Sequence, residues 1–155
     1  MTNPAPLLEK LAKYCIDTNV LFNFWKIESD EPYAKDVFKS QWEIINKMVE
    51  GGQIVAPVAV LDEIMKGTDE KDPLKSWANN HSYMFIDLDD DQVAIMAPIV
   101  TEFPIYNDLQ KGDYADLCVI AVAKVRGLKV ITSEKETTNT SKKIRKYLTY
   151  ARIRV

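Results

Sequence analysis

An α/β fold with helices packed around a mostly parallel sheet is what this sequence predicts. Short apolar runs suited to strands alternate with longer segments of helical period, and Gly or Pro residues mark many of the boundaries. With 155 residues, 46% of them hydrophobic and 28% charged, the chain has the composition of a folded protein and the length of a single domain, 1–155.

Tyr14-Cys15-Ile16 is an apolar run closed by Asp17, the pattern of a buried strand ending in a carboxylate. From Pro32 to Glu50, Val37, Phe38, Trp42, Ile45, Met48 and Val49 recur at helical spacing until Gly51-Gly52 stops them. Gln53 to Ala56 forms a second strand, and Pro57 suits the first turn of a helix carrying Val60, Leu61, Ile64 and Met65 to Gly67. Asp72-Pro73 opens a short helix through Trp77, and Tyr83 to Leu88 is expected as a strand. Asp89 to Asp91 can cap a helix running to about Thr101, which Pro98 should bend or shorten. Asp113 to Arg126 is a helix apolar nearly all round, ended by Gly127, and Lys129 to Thr132 is the next strand. Thr137 to Ser141 reads as a loop.

Several function classes are disfavoured. No apolar run approaches the roughly 20 residues of a membrane helix, and Met1 to Tyr14 lacks the apolar stretch of a secretory signal. Cys15 and Cys118 sit in apolar segments without metal-ligand spacing, so reduced core thiols of a cytoplasmic protein are expected. His81 is the only histidine, which argues against a His-rich metal site or a serine–histidine hydrolase. Asp87, Asp89 and Asp91 alternate as in a calcium loop, but Gln92 and Pro98 occupy the places of the turn glycine and the bidentate acid. Walker and Rossmann glycine signatures are missing. A net charge of −3 gives no broad attraction to nucleic acid, so any basic contact surface is local.

Chemistry is expected at the carboxyl ends of the parallel strands, where ligands bind in open α/β sheets. Asp17 and Glu134 follow two such strands, while Glu63 and Asp116 lie on helices that should pack near the same edge. Converging acids repel one another unless a cation lies between them. All-oxygen ligation selects hard ions such as Mg²⁺ or Mn²⁺, which activate water and stabilise a phosphodiester in hydrolysis. Taken singly, each acid has a plain structural role: Asp17 as a helix cap, Glu63 as a solvated helix residue, Asp116 on a helix dipole, Glu134 as a surface loop acid. Phe22, Phe24 and Trp25 suit a core more than a base-stacking platform.

Four segments together resemble the PIN-domain superfamily, of the VapC-like kind: Tyr14 to Leu21, Val60 to Ile64, Ala115 to Ala123 and Val130 to Glu134. Trp42 and Trp77 are similar to positions in a prokaryotic PIN-like subfamily of unknown function. The resemblance implies a three-layer α/β/α sandwich, a divalent-metal acid cluster and endoribonuclease activity on an RNA substrate. It also implies a toxin–antitoxin setting in which a small antitoxin protein inhibits the enzyme, and a homodimer is compatible with it. Asp17 and Asp116 would be the firmest metal ligands, Glu63 a further ligand or water-orienting base, and Glu134 the outer member, where many relatives carry aspartate. Thr18 and Asn19 could orient the first carboxylate, and Asp113, one helical turn before Asp116, could add a ligand. Two rivals stay open: a non-catalytic PIN-like module that binds RNA or protein, and a nuclease acting on DNA.

The tail departs from the resemblance after Lys146. Codon degeneracy allows a one-base shift there to read Ile-Pro-Asn-Val-Cys, the continuation of similar proteins. Residues 147–155 are therefore expected either as the product of a frameshift that shortens the native tail or as a genuine terminal strand. In the second case Tyr147, Tyr150 and Ile153 pack on the sheet, and Lys142, Lys143, Arg145, Lys146, Arg152 and Arg154 offer a phosphate-binding strip.

Overall fold

The structure, a computed structural model, describes residues 11–25, 38–102, 113–133 and 152–154. Its elements are β1 (Tyr14–Ile16), α1 (Thr18–Trp25), α2 (Lys39–Glu50), β2 (Ile54–Pro57), α3 (Val58–Gly67), α4 (Pro73–Asn80), β3 (Phe85–Ile86), α5 (Asp90–Glu102), α6 (Asp113–Arg126), β4 (Lys129–Thr132) and β5 (Arg152–Arg154). The strands form one sheet in the order β3-β2-β1-β4-β5, and every neighbouring pair is parallel. β1 therefore lies at the centre, with Cys15 opposite Val55 on one side and Val130 on the other.

Successive strand residues point to opposite faces, yet Cys15 and Ile16, all of Ile54–Pro57, and Val130 and Ile131 are buried. Both faces of the sheet are thus covered, the condition for a purely parallel sheet, and the architecture is a three-layer α/β/α sandwich. Connections between parallel strands are right-handed as a rule, so crossovers that step in opposite directions cover opposite faces: β1, β2 and β3 step outward one way, and the chain then returns past them to place β4. Cys15, Ile16, Val20, Leu21, Phe24, Ile64 and Val122 belong to the main core. A second cluster joins α5 to α6 through Ile99, Leu117 and Ile120.

Glycine positions two of the strands. Gly52, one residue beyond the Gly51 that caps α2, and Gly127, directly after α6, take positive φ, 74° and 66°. Gln53 N–H then donates to Met48 O at 2.9 Å, and Leu128 N–H to Ala123 O at 2.9 Å, the six-to-one bond that closes a Schellman turn. Each turn delivers the chain into a strand, β2 or β4. Two helix starts carry side-chain caps: at α4, Asp72 Oδ1 accepts from Leu74 N–H at 2.9 Å. Asp89 and Gln92 cap reciprocally, with Gln92 N–H donating to Asp89 Oδ1 at 2.8 Å and Asp89 N–H to Gln92 Oε1 at 3.0 Å. Asp89 is thus the helix cap that the Asp89 to Asp91 run was expected to supply.

Three expectations change. The strand expected over Tyr83–Leu88 contracts to Phe85–Ile86, because Ser82–Met84 coil into a 3₁₀ turn and Tyr83 faces solvent. α5 runs through Pro98 to Glu102, since the proline ring lies on the exposed face, where a carbonyl that loses its helical donor is solvated. Pro57 ends β2 in extended conformation and precedes α3 instead of lying in its first turn. Residues 26–37, the 137–141 loop and Lys142 to Lys146 lie outside the described residues; β5 pairs with β4, Ile153 opposite Ile131.

The aromatics are core, as expected for Phe24 and Trp25. Phe24 is 1% exposed with its ring 5.3 Å from Trp42, Trp25 meets Trp42 edge-on at 5.5 Å, and Trp42 meets Trp77 at 5.2 Å. Trp77 Nε1 donates to Asn46 Oδ1 at 2.8 Å, which satisfies its one polar atom, and His81 stacks on its other flank at 4.6 Å. α1, α2 and α4 are joined by this cluster. Among the described residues no helix is long and apolar enough to cross a membrane.

Candidate functional site

Asp17 directly follows β1, the central strand, and precedes the first residue of α1. It is 5% exposed, which places a carboxylate in the interior at the carboxyl edge of the sheet. Thr132, the last residue of neighbouring β4, donates its hydroxyl to Asp17 Oδ2 at 3.2 Å. Asp17 N–H donates to Ile131 O at 3.0 Å, so backbone and side chain are both fixed by β4. One step further, Asn23 Nδ2 of α1 donates to Ser133 Oγ at 2.8 Å. Thr132, Ser133 and Asn23 are thus positioning residues that the sequence reading missed. Their contacts span more than 100 positions of chain, and no local spacing signals them.

Thr18 does not orient the carboxylate as expected. It is 2% exposed, and its Oγ finds no hydrogen-bond partner among the described residues. An unsatisfied buried hydroxyl costs about 1–3 kcal/mol. Asn19 is exposed on the same turn.

The remaining acids sit on the helices expected. α6 ends just before β4 begins, so it runs opposite to the strands and its first turns lie toward their carboxyl ends. Asp113 is its first residue, and Asp116 is half-buried in its first turn. Glu63, half-buried, occupies the second turn of α3, while neighbouring Asp62 is exposed, which settles which of the two faces inward. Glu134 lies outside the described residues. Among the described residues no three His, Cys, Asp or Glu side chains group closely enough to hold a metal ion. Asp17, Glu63 and Asp116 are therefore brought to neighbouring elements without forming a closed ligand set by themselves.

Electrostatics connect these elements. Burial pushes the Cys15 thiol far above its ordinary range, the charge of Asp17 pushes it further, Arg126 opposes the rise, and Cys118 adds to it. Cys118 is raised by burial, partly offset by a hydrogen bond from Tyr114, and raised again by Glu63. Tyr114 is raised by the nearby Cys118 and their hydrogen bond, then by burial and Asp62. The influence of Cys118 on Cys15 thus couples the electrostatics of Asp17, after β1, to those of Glu63 on α3 and the head of α6. Both thiols stay protonated at neutral pH and do not compete for a cation as thiolates. Iodoacetamide at mildly alkaline pH should leave both unlabelled in the folded protein and label both after denaturation. Mass spectrometry checks this, and rapid labelling of Cys15 in the native state would mean that β1 is not buried.

Two features fit a hard divalent cation: the donors are carboxylate and hydroxyl oxygens, and a buried polar atom, Thr18 Oγ, has no partner among the described residues. No curated protein and no solved structure matches the chain. The family described as Domain of unknown function (DUF4411) matches residues 14–154, from the start of β1 to the end of β5. By that match over nearly its whole length, the chain belongs to this family of unknown function.

Proposed function

We propose that the chain is a metal-dependent endoribonuclease of the PIN type, with Asp17, Glu63, Asp116 and Glu134 as its acid set and Asp113 as an additional ligand. The observation that carries this reading is Asp17: a carboxylate 5% exposed, at the end of the central strand, anchored by the end of the next strand. Keeping a negative charge in the interior is costly, and a protein gains by it where the charge has a cation to meet. Mg²⁺ or Mn²⁺ held by these oxygens supplies Lewis-acid activation of water and neutralises charge on the phosphodiester.

The chain's own residues then have distinct tasks. Thr132 holds Asp17 Oδ2, and the Asn23–Ser133 bond ties Ser133 to α1. Glu63 and Asp116 approach from α3 and α6, two helices that pack on each other. RNA as the substrate rests on the resemblance of the four acidic segments to PIN proteins. A small antitoxin-like protein encoded beside this gene is the partner such a toxin requires.

Mn²⁺ should raise the melting temperature, because a ligand bound only to the folded state stabilises it by about 2.7 kcal/mol at one hundred times its Kd. Asp116→Asn should remove most of that shift without unfolding the protein. Differential scanning fluorimetry with and without Mn²⁺ makes the comparison, and equal shifts in both proteins would exclude Asp116 from the site.

A further inference from the structure

Thr18 carries information that the acid set does not. It is the first residue of α1 and follows Asp17 directly, and it lies in the interior at 2% exposure. A hydroxyl rotates to suit any donor or acceptor within reach. Thr18 Oγ nonetheless finds no hydrogen-bond partner among the described residues. Buried polar groups in proteins are satisfied by the polypeptide, by ordered water or by a ligand. No described residue serves Thr18, which leaves its hydroxyl to a water or a ligand oxygen. Thr132, by contrast, directs its hydroxyl to Asp17 Oδ2. The two threonines beside Asp17 therefore differ: one is committed to the carboxylate, and the other is available to a guest.

We propose that the Thr18 hydroxyl is a polar member of the cation site itself, bonded to the oxygen that accompanies the ion, whether water or substrate. This rests on the reading of Asp17 as a divalent-cation ligand. Thr18 is a positioning residue in this role, because it acts through that oxygen.

Valine matches threonine in shape and lacks only the hydroxyl, while serine keeps it. Mn²⁺ is titrated into the full-length wild type and into Thr18→Val, Thr18→Ser and Asp17→Asn, by calorimetry and by thermal shift. Thr18→Val should melt in chelator at the wild-type temperature or higher, since an unsatisfied buried hydroxyl is gone. Its Mn²⁺ Kd should rise by about 10- to 100-fold, as when outer contacts of a metal site are removed. Thr18→Ser should bind close to wild type. If Thr18→Val binds Mn²⁺ like wild type while Asp17→Asn does not, the hydroxyl lies outside the site and the proposal fails, with the cation reading intact. A lower melting temperature of Thr18→Val in chelator would also overturn it, by making the hydroxyl structural. If wild type itself binds no Mn²⁺, both this proposal and the cation reading fail.

Discussion

Replacing Asp17 with Asn should lower cleavage of single-stranded RNA by orders of magnitude and leave the protein folded. Asparagine has the shape of aspartate, and its carbonyl oxygen can still accept the hydroxyl of Thr132, so the link between β1 and β4 survives. What disappears is a negative charge in the interior, at a position 5% exposed. In chelator the variant should stay folded, because the shape of the side chain and the bond from Thr132 are kept. Loss of activity with stability kept or gained is the signature of a residue retained for chemistry. Cleavage is followed on a labelled oligoribonucleotide with Mg²⁺ or Mn²⁺, beside wild type treated with chelator. Activity that persists equally in the variant and in the chelated wild type would sink the proposed chemistry.

The largest effect on stability is expected at Phe24. It is 1% exposed, belongs to the main core, and meets Trp42 across α1 and α2 at 5.3 Å. Truncation to alanine removes the ring and leaves a cavity that the surrounding tryptophans cannot fill by small shifts. The expected cost is about 3–5 kcal/mol, and the melting temperature should fall by about 10 °C or more. Phe24→Leu should cost well under half of this. Urea unfolding followed by tryptophan fluorescence measures both variants, and a loss below about 1 kcal/mol for the alanine variant would mean that α1 is not held by this cluster.

Much of the fold was legible in the sequence because each strand around the centre is apolar on consecutive positions. Cys15-Ile16 and Val130-Ile131 are buried on both faces, and such runs fit little else than an interior strand. β3 was less legible. Its two residues are preceded by Tyr83, an aromatic that suits a strand yet projects to solvent from a 3₁₀ turn. Pro98 was expected to bend or shorten α5 and did not shorten it, since its effect depends on which face it occupies, and that is decided by packing against α6. At the candidate site, the locations of Asp17 and Asp116 followed from chain order alone, because carboxyl ends of parallel strands gather on one edge. Thr132, Ser133 and Asn23 could not be found that way. Their roles exist only once two distant segments meet, and nothing in either segment marks the pairing.

The central place of β1 has a consequence during synthesis. One of its edges can pair with β2 early, but the other waits for β4, and Asp17 and the threonine that anchors it stand 115 positions apart in the chain. A ribosome-bound chain that has reached α5 already carries Asp17 and Glu63 yet lacks Thr132, Ser133 and Asp116. Its acid edge is therefore unassembled for most of translation. An RNA-cutting enzyme built on this strand order would stay harmless to the message it is being made from until its last third has emerged.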